Sequence, residues 1–208
     1  KEAGAPVLSV EYRLAPEHKF PAGLEDAMAA YTWAVDNAAR YGAPVKKAAV
    51  GGDSMGGNFA AIVAQEFRTS KAPVLQLLIY PGLDLVSDTP SMHDFADAFP
   101  LTNDTVDYFM KQYLPESADP SDARVSPGRT QDLRGLAPAL VYTAGFDMLL
   151  DQGAAYANRL GEAGVKTAYV NFENLPHGFV AFSAASPHAE AAIRRIAQET
   201  AAALKGQR

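Results

Sequence analysis

The run Val74-Leu75-Gln76-Leu77-Leu78-Ile79-Tyr80 constrains the fold more than any other stretch. It is almost wholly apolar, as expected of a strand covered on both faces. Pro81-Gly82 stops it. Such strands belong to sheets built with crossover helices, so helical segments should lie on either side along the chain.

They do. Leu24, Ala27, Met28, Tyr31, Val35 and Ala38 recur at helical spacing, with Glu25 and Asp26 in the first turn and Gly42 and Pro44 as the stop. Phe59, Ile62, Val63 and Phe67 give a second amphipathic helix. A third is expected over about Gln152 to Leu160, closed by Gly161 or Gly164. The last starts at Ser186-Pro187, an N-cap and N1 pair, and carries Ile193, Ile196, Ala197 and Leu204 on one face. Strands are expected at Val7–Tyr12, Lys47–Val50, Val74–Tyr80, Ala139–Thr143 and Lys166–Phe172. The alternation predicts an α/β fold, a mostly parallel sheet with helices on both faces. Lys1 to Pro6 reads as the last turn of a helix with Gly4 as its cap, so the chain is expected to begin in mid-fold.

One segment breaks the alternation. Residues 84–136 hold acids, prolines and one strong helix, with Val106, Phe109, Met110, Tyr113 and Leu114 on one stripe. This is too long for a plain connection. It reads as a lid-like insertion whose Phe95, Phe99 and Phe109 offer apolar surface to a ligand. The alternative is a helix packed on the sheet.

Composition narrows the function classes. The chain has 208 residues, a net charge of −6 and no cysteine. That suits one globular domain over residues 1–208, or one domain plus a small excursion, with no nucleic-acid footprint, disulfide framework or thiolate site. No apolar run approaches about 18 residues, so no membrane span is expected. No signal peptide is visible, and a cytoplasmic location is expected.

The chemistry centres on Gly52-Asp53-Ser54-Met55-Gly56-Gly57, entered by a strand and left by a helix. Gly52-x-Ser54-x-Gly56 fits a nucleophile elbow, a sharp turn that holds a serine hydroxyl above the sheet. Small residues are expected at Gly52 and Gly56 because backbone meets backbone there. The Met55 N–H, one residue on, is the expected oxyanion donor. A glycine-rich turn without chemistry, or a phosphate-cradling loop, would also fit these residues.

A serine needs a base, and the base needs an orienting acid. Catalytic groups of parallel sheets sit at the carboxyl ends of strands. Asp147 follows the fourth strand and His177 the fifth, in the order Ser54, Asp147, His177 that such elbows show. Asp151 rivals Asp147, though it could instead cap the helix that begins there. Glu173 is a third candidate. A loop histidine capping a carbonyl is the bland alternative for His177. His18, His93 and His188 lie before the elbow, in the insertion and in the last helix. Neither metal nor cofactor is called for.

Four stretches in register, spanning nearly the whole chain, resemble the hormone-sensitive-lipase-like (bacterial family IV) carboxylesterases of the α/β-hydrolase fold. They are Tyr12-Arg13-Leu14-Ala15-Pro16-Glu17 with Phe20-Pro21-Ala22, Gly52 to Asn58, Ala144-Gly145-Phe146-Asp147-Met148-Leu149, and His177-Gly178-Phe179. The resemblance implies Ser54 as nucleophile, Asp147 as acid and His177 as base, acting on short to medium acyl esters. An amidase or deacetylase with the same triad, or a ligand-binding relative that no longer turns over, are the alternatives. Related esterases often dimerise through the last strand and helix, which makes Ala185 to Leu204 a candidate surface. The family's His-Gly-Gly-Gly oxyanion segment lies ahead of the Tyr-Arg-Leu run. That segment, the first strands and the cap helices are expected to be missing from this chain, leaving one sheet edge exposed. The missing part is expected to be a removed piece of the same protein, a disordered one, or a separate chain that acts as a partner.

Overall fold

The computed structural model describes residues 2–43 and 47–206. Its centre is a parallel sheet of four strands in the order β1 (Val50–Asp53), β2 (Gln76–Ile79), β3 (Ala139–Phe146) and β4 (Thr167–Pro176). Helix α2 (Met55–Glu66) links β1 to β2, and α5 (Leu150–Glu162) links β3 to β4. Because all strands run one way, their carboxyl ends meet at one rim. Asp53 pairs with Ile79, and Ile79 with Tyr142.

Side chains alternate across the sheet with period two, and each face finds its own helices. On one face Leu78, Ala139 and Val141 pack with Ala60 and Ala61 of α2 and with Tyr156, Ala157 and Leu160 of α5. On the other, Leu140, Tyr142 and Ala144 pack with Ala189, Ala192 and Ile196 of α6 (Pro187–Lys205). Ser186 caps α6 by accepting the Ala189 N–H. Helix α1 (Ala22–Asn37) forms an outer layer on α2, with Leu24 against Phe59 and Ile62, and Tyr31 and Val35 against Val63. Gly42 closes the turn after α1 in a left-handed conformation. No helix among the described residues is long and apolar enough to cross a membrane.

The β2–β3 connection holds α3 (Pro90–Asp94) and α4 (Asn103–Tyr113) and no strand. Helix α4 has no buried residue, and Tyr108 and Phe109 are exposed on it. Its carboxyl end is fixed to the loop before α1. The Phe20 N–H donates to the Tyr113 carbonyl at 2.8 Å, and the Tyr113 ring meets Phe20 and Phe59. Lys19 Nζ donates to the Lys111 and Leu114 carbonyls.

Three expectations need correction. Val7–Tyr12 is not a strand. Strand propensity becomes a strand only through a partner, and among the described residues this segment pairs with none, leaving Val7 86% exposed. The outer edge of β1 is likewise unpaired among them. No helical turn stands at residues 2–6, although Gly4 is left-handed; Lys1 and Pro44 lie outside the described residues. Finally, β1 starts at Val50 instead of Lys47 and runs through two glycines into Asp53, because the ladder to β2 outweighs their poor intrinsic preference. Strands β3 and β4 extend further than expected, to Phe146 and Pro176.

The proline-rich loop before α1 is tied down by Arg13. Its guanidinium grips the Asp26 carboxylate in a fork, at 2.8 and 2.9 Å, and its own backbone N–H adds a third bond at 2.9 Å. The hydrogen bond from the Arg13 side chain, then that from its backbone, holds Asp26 down at about 2. A depressed carboxylate adds stability above its unfolded pKa and loses it as pH falls through the folded one. Asp26→Asn should therefore lower the melting temperature at neutral pH. That deficit should shrink as pH is taken from about 4 toward 2. Melting curves of both proteins across that range check it, and a deficit that does not change with pH would contradict it.

Candidate active site

The rim of the sheet is built around a strained serine. Ser54 joins β1 to α2 with φ 53° and ψ −119°. Its N–H donates to the Ile79 carbonyl at 2.9 Å. Its carbonyl accepts the Asn58 N–H at 3.1 Å and the Gly82 N–H at 3.3 Å. Backbone this unusual costs on the order of 1–3 kcal/mol and persists only where neighbours over-determine it.

The steric demand falls differently from expectation. A Cβ on Gly52 would sit 2.3 Å from the Gly56 carbonyl carbon, so only glycine fits there. On Gly56 a Cβ would meet nothing within 4 Å. The turn brings the Gly56 backbone over the Gly52 Cα, and the intrusion runs one way. Gly57 is the second tight position, where a Cβ would lie 2.8 Å from Pro81 Cβ.

The acid and the imidazole are brought together by an irregularity between β3 and β4. Ala144 pairs with Phe172, but Phe146 pairs with Pro176. Two steps on one strand match four on the other. Gly145 permits this, since a Cβ there would lie 2.1 Å from the Glu173 carbonyl oxygen. The bulge carries the next residue of each strand to the same place. The His177 N–H donates to the Phe146 carbonyl at 3.3 Å.

Ser54, Asp147 and His177 then form one line. His177 Nε2 lies 2.9 Å from Ser54 Oγ, and Nδ1 lies 2.7 Å from Asp147 Oδ2. Asp147 is 1% exposed and His177 7%. A buried carboxylate beside Nδ1 favours the tautomer with the proton on Nδ1, leaving the Nε2 lone pair to accept from the hydroxyl. The other Asp147 oxygen accepts the Leu149 N–H at 2.9 Å, which fixes the carboxylate plane. Met55 opens α2, where the first N–H groups have no intrahelical acceptor and the helix dipole favours negative charge.

The rivals are otherwise engaged. Asp151 accepts the Ser91 N–H at 2.8 Å, at the start of α3. It does not cap α5, whose cap position is Leu149. Glu173 is exposed on β4. His93 is exposed and pairs with Asp88. His18 is exposed in the loop before α1, and His188 lies in the first turn of α6. Among the described residues, no group of His, Asp and Glu has the arrangement to hold a metal ion.

The phenylalanines of the insertion separate. Phe95 meets Phe146 edge to face at 6.0 Å between centroids, and Phe99 lies 6.3 Å from Phe182. Phe99, Pro176, Phe179 and Phe182 line an apolar cleft of about 300 Å³. Phe109 stays exposed beside Tyr108. One residue beside the site was not singled out from the sequence. Tyr80 closes β2 and lies against the His177 ring, 4.8 Å between centroids. Its position just past a strand's carboxyl end, ahead of Pro81-Gly82, was the available signal.

Gly52→Ala should cost about 1–3 kcal/mol or more, because two backbone segments must part to admit the methyl. Gly56→Ala, inside α2 with open space, should gain about 0.5–1 kcal/mol from the lower entropy of its unfolded chain. Urea denaturation of both variants decides, and equal effects would contradict the steric assignment.

Residues 1–181 match the sequence model of a family described as alpha/beta hydrolase fold. The carboxylic ester hydrolase LipN of Mycobacterium tuberculosis is 45% identical over 188 residues, covering 86% of this chain and 50% of LipN. The carboxylesterase NlhH of the same species is 43% identical over 200 residues, covering 93% of this chain and 62% of NlhH. The crystal structure of EstE1, a thermostable carboxylesterase cloned from a metagenomic library, superposes with a TM-score of 0.91 at 38% identity. It covers 98% of this chain and 70% of EstE1. The chain thus spans between 50% and 70% of the length of these relatives. With a strand-to-helix elbow, a parallel sheet and this degree of likeness, the chain belongs to the α/β-hydrolase family, in its hormone-sensitive-lipase-like (bacterial family IV) carboxylesterase branch.

Proposed function

We propose that this chain carries the catalytic machinery of a serine carboxylic ester hydrolase, with Ser54 as nucleophile, His177 as base and Asp147 as orienting acid. The observation that carries the reading is the unbroken pair of hydrogen bonds, 2.9 Å and 2.7 Å, from hydroxyl through imidazole to a buried carboxylate.

Ser54 Oγ attacks the ester carbonyl carbon while His177 Nε2 takes its proton. The carbonyl π bond opens to an oxyanion, toward which the Met55 N–H donates. Asp147 keeps the Nδ1 proton in place and stabilises the imidazolium without taking that proton. The tetrahedral intermediate collapses, the C–O bond to the alcohol breaks, and His177 protonates the leaving oxygen. Water, deprotonated by the same imidazole, then releases the acid and restores Ser54.

Several observations support finer parts of the reading. Short to medium acyl esters are the substrates that the family likeness favours; the apolar cleft of about 300 Å³ is walled by Phe99, Phe179, Phe182 and the start of α6, with neither Ser54 nor His177 in its lining. The exposed aromatics of α4 and the Phe95–Phe146 contact favour residues 84–136 as a lid. Further oxyanion donors belong, in this family, to the His-Gly-Gly-Gly segment. A cytoplasmic site of action and a homodimer through β4 and α6 complete the proposal.

The test is a series of nitrophenyl esters of increasing acyl length. It is run on this chain with and without whatever coding sequence precedes Lys1. A burst of nitrophenol is expected, greatest for short chains. Ser54→Ala should lower kcat by about 10⁶-fold and Asp147→Asn by about 10⁴-fold, the scale of triad losses elsewhere. A burst that survives Ser54→Ala would overturn the assignment.

A further inference from the structure

Tyr80 is fully buried, yet it is a non-glycine residue with φ +35°. Something holds it in that conformation. Its N–H donates to the Tyr142 carbonyl at 2.6 Å, and the carbonyl of Ile79, one residue before, accepts the Ser54 N–H. Tyr80 is therefore bonded into the same turn of backbone that carries the nucleophile.

Its side chain reaches the other half of the site. The phenol ring lies 4.8 Å from the His177 imidazole between centroids, at an interplanar angle of 58°. Phe179, two residues past His177, backs the phenol edge to face at 4.9 Å. The hydroxyl donates to Asp53 Oδ2 at 3.1 Å, and Asp53 immediately precedes Ser54. One side chain thus touches the elbow through its oxygen and the histidine loop through its ring. Burial, then the charge of Asp53, raises the phenol pKa, with the Val180 N–H working the other way. The hydroxyl stays a neutral donor and does not compete with His177 as a base.

We propose that Tyr80 is a positioning residue for His177. Its ring confines the imidazole to the plane that meets both Ser54 and Asp147, and its π system steadies the imidazolium that forms when Ser54 loses its proton. Asp53 anchors the phenol in that pose. The proposal rests on the esterase reading for its catalytic meaning but not for its physics. A cation within about 6 Å of an aromatic centroid is attracted by the ring quadrupole. The groups facing the imidazole are Asp147 from the end of β3, Ser54 from the elbow and Tyr80 from the end of β2, with Asp53 behind the phenol. A side chain that acted on His177 without its π face would be mimicked no better by phenylalanine than by leucine.

The experiment is an NMR titration of the His177 ring protons in the wild type, Tyr80→Leu and Tyr80→Phe. Circular dichroism monitors the fold, and Tyr80→Met replaces the leucine variant if that one does not fold. Losing the ring removes support from the imidazolium, so the His177 midpoint should be lower in Tyr80→Leu than in the wild type. Tyr80→Phe, which keeps the π face, should bring it back toward the wild type. An unchanged midpoint in Tyr80→Leu, or a shift in Tyr80→Phe as large as in Tyr80→Leu, would overturn the proposal. Labelling of wild-type Ser54 by a nitrophenyl phosphonate is measured in parallel. Its absence would count against the esterase reading while leaving the titration result intact.

Discussion

The site depends on the parallel ladder of the sheet. Parallel strands put every carboxyl end on one side, and short links return the chain to the other. With β1 to β4 in consecutive order, the residues that follow β1, β2, β3 and β4 are neighbours in space. Those residues are Ser54, Tyr80, Asp147 and His177. None of them needs a long reach, because the backbone has already delivered them.

The ladder alone would leave the four groups in a row a strand spacing apart. Two local distortions close the gaps. At the elbow, the absence of a Cβ on Gly52 lets the first turn of α2 fold back over β1. At the β3–β4 bulge, the absence of one on Gly145 lets β4 gain two residues on β3 and swing His177 over Asp147. The strain at Ser54 and Tyr80 is balanced by backbone bonds to Ile79, Gly82 and Tyr142, all on the same rim. A bulge and a positive φ beside a candidate site are where regular structure is given up for placement.

Much of this was legible in one dimension. The Gly52-x-Ser54-x-Gly56 pattern carries its own mechanism, and strand-end logic picked Asp147 over Asp151 and His177 over three other histidines. The segment Val7–Tyr12 was misread because alternation and β-branching report what a strand would bury, not whether a neighbour exists to pair with it. Gly56 was misread because a motif names two glycines while only geometry says which backbone intrudes on which. Tyr80 was overlooked because an aromatic at the end of an apolar run looks like one more core residue.

Sequence by itself determined most of the elements and their order, Val7–Tyr12 excepted, since periodicity, caps and breakers are local and each residue type has its own conformational preference. It determined the chemical types present as well: one elbow serine, an acid and an imidazole in the right succession. Tertiary structure decided which atoms meet. The register of β3 on β4, the meeting of Ser54 with His177, and the ring that flanks His177 all depend on contacts between residues far apart in the chain, as many as 123 positions for Ser54 and His177. Those contacts are set by close packing and by the need to pair most buried polar groups. Both conditions act on the whole chain at once, so no local stretch encodes them.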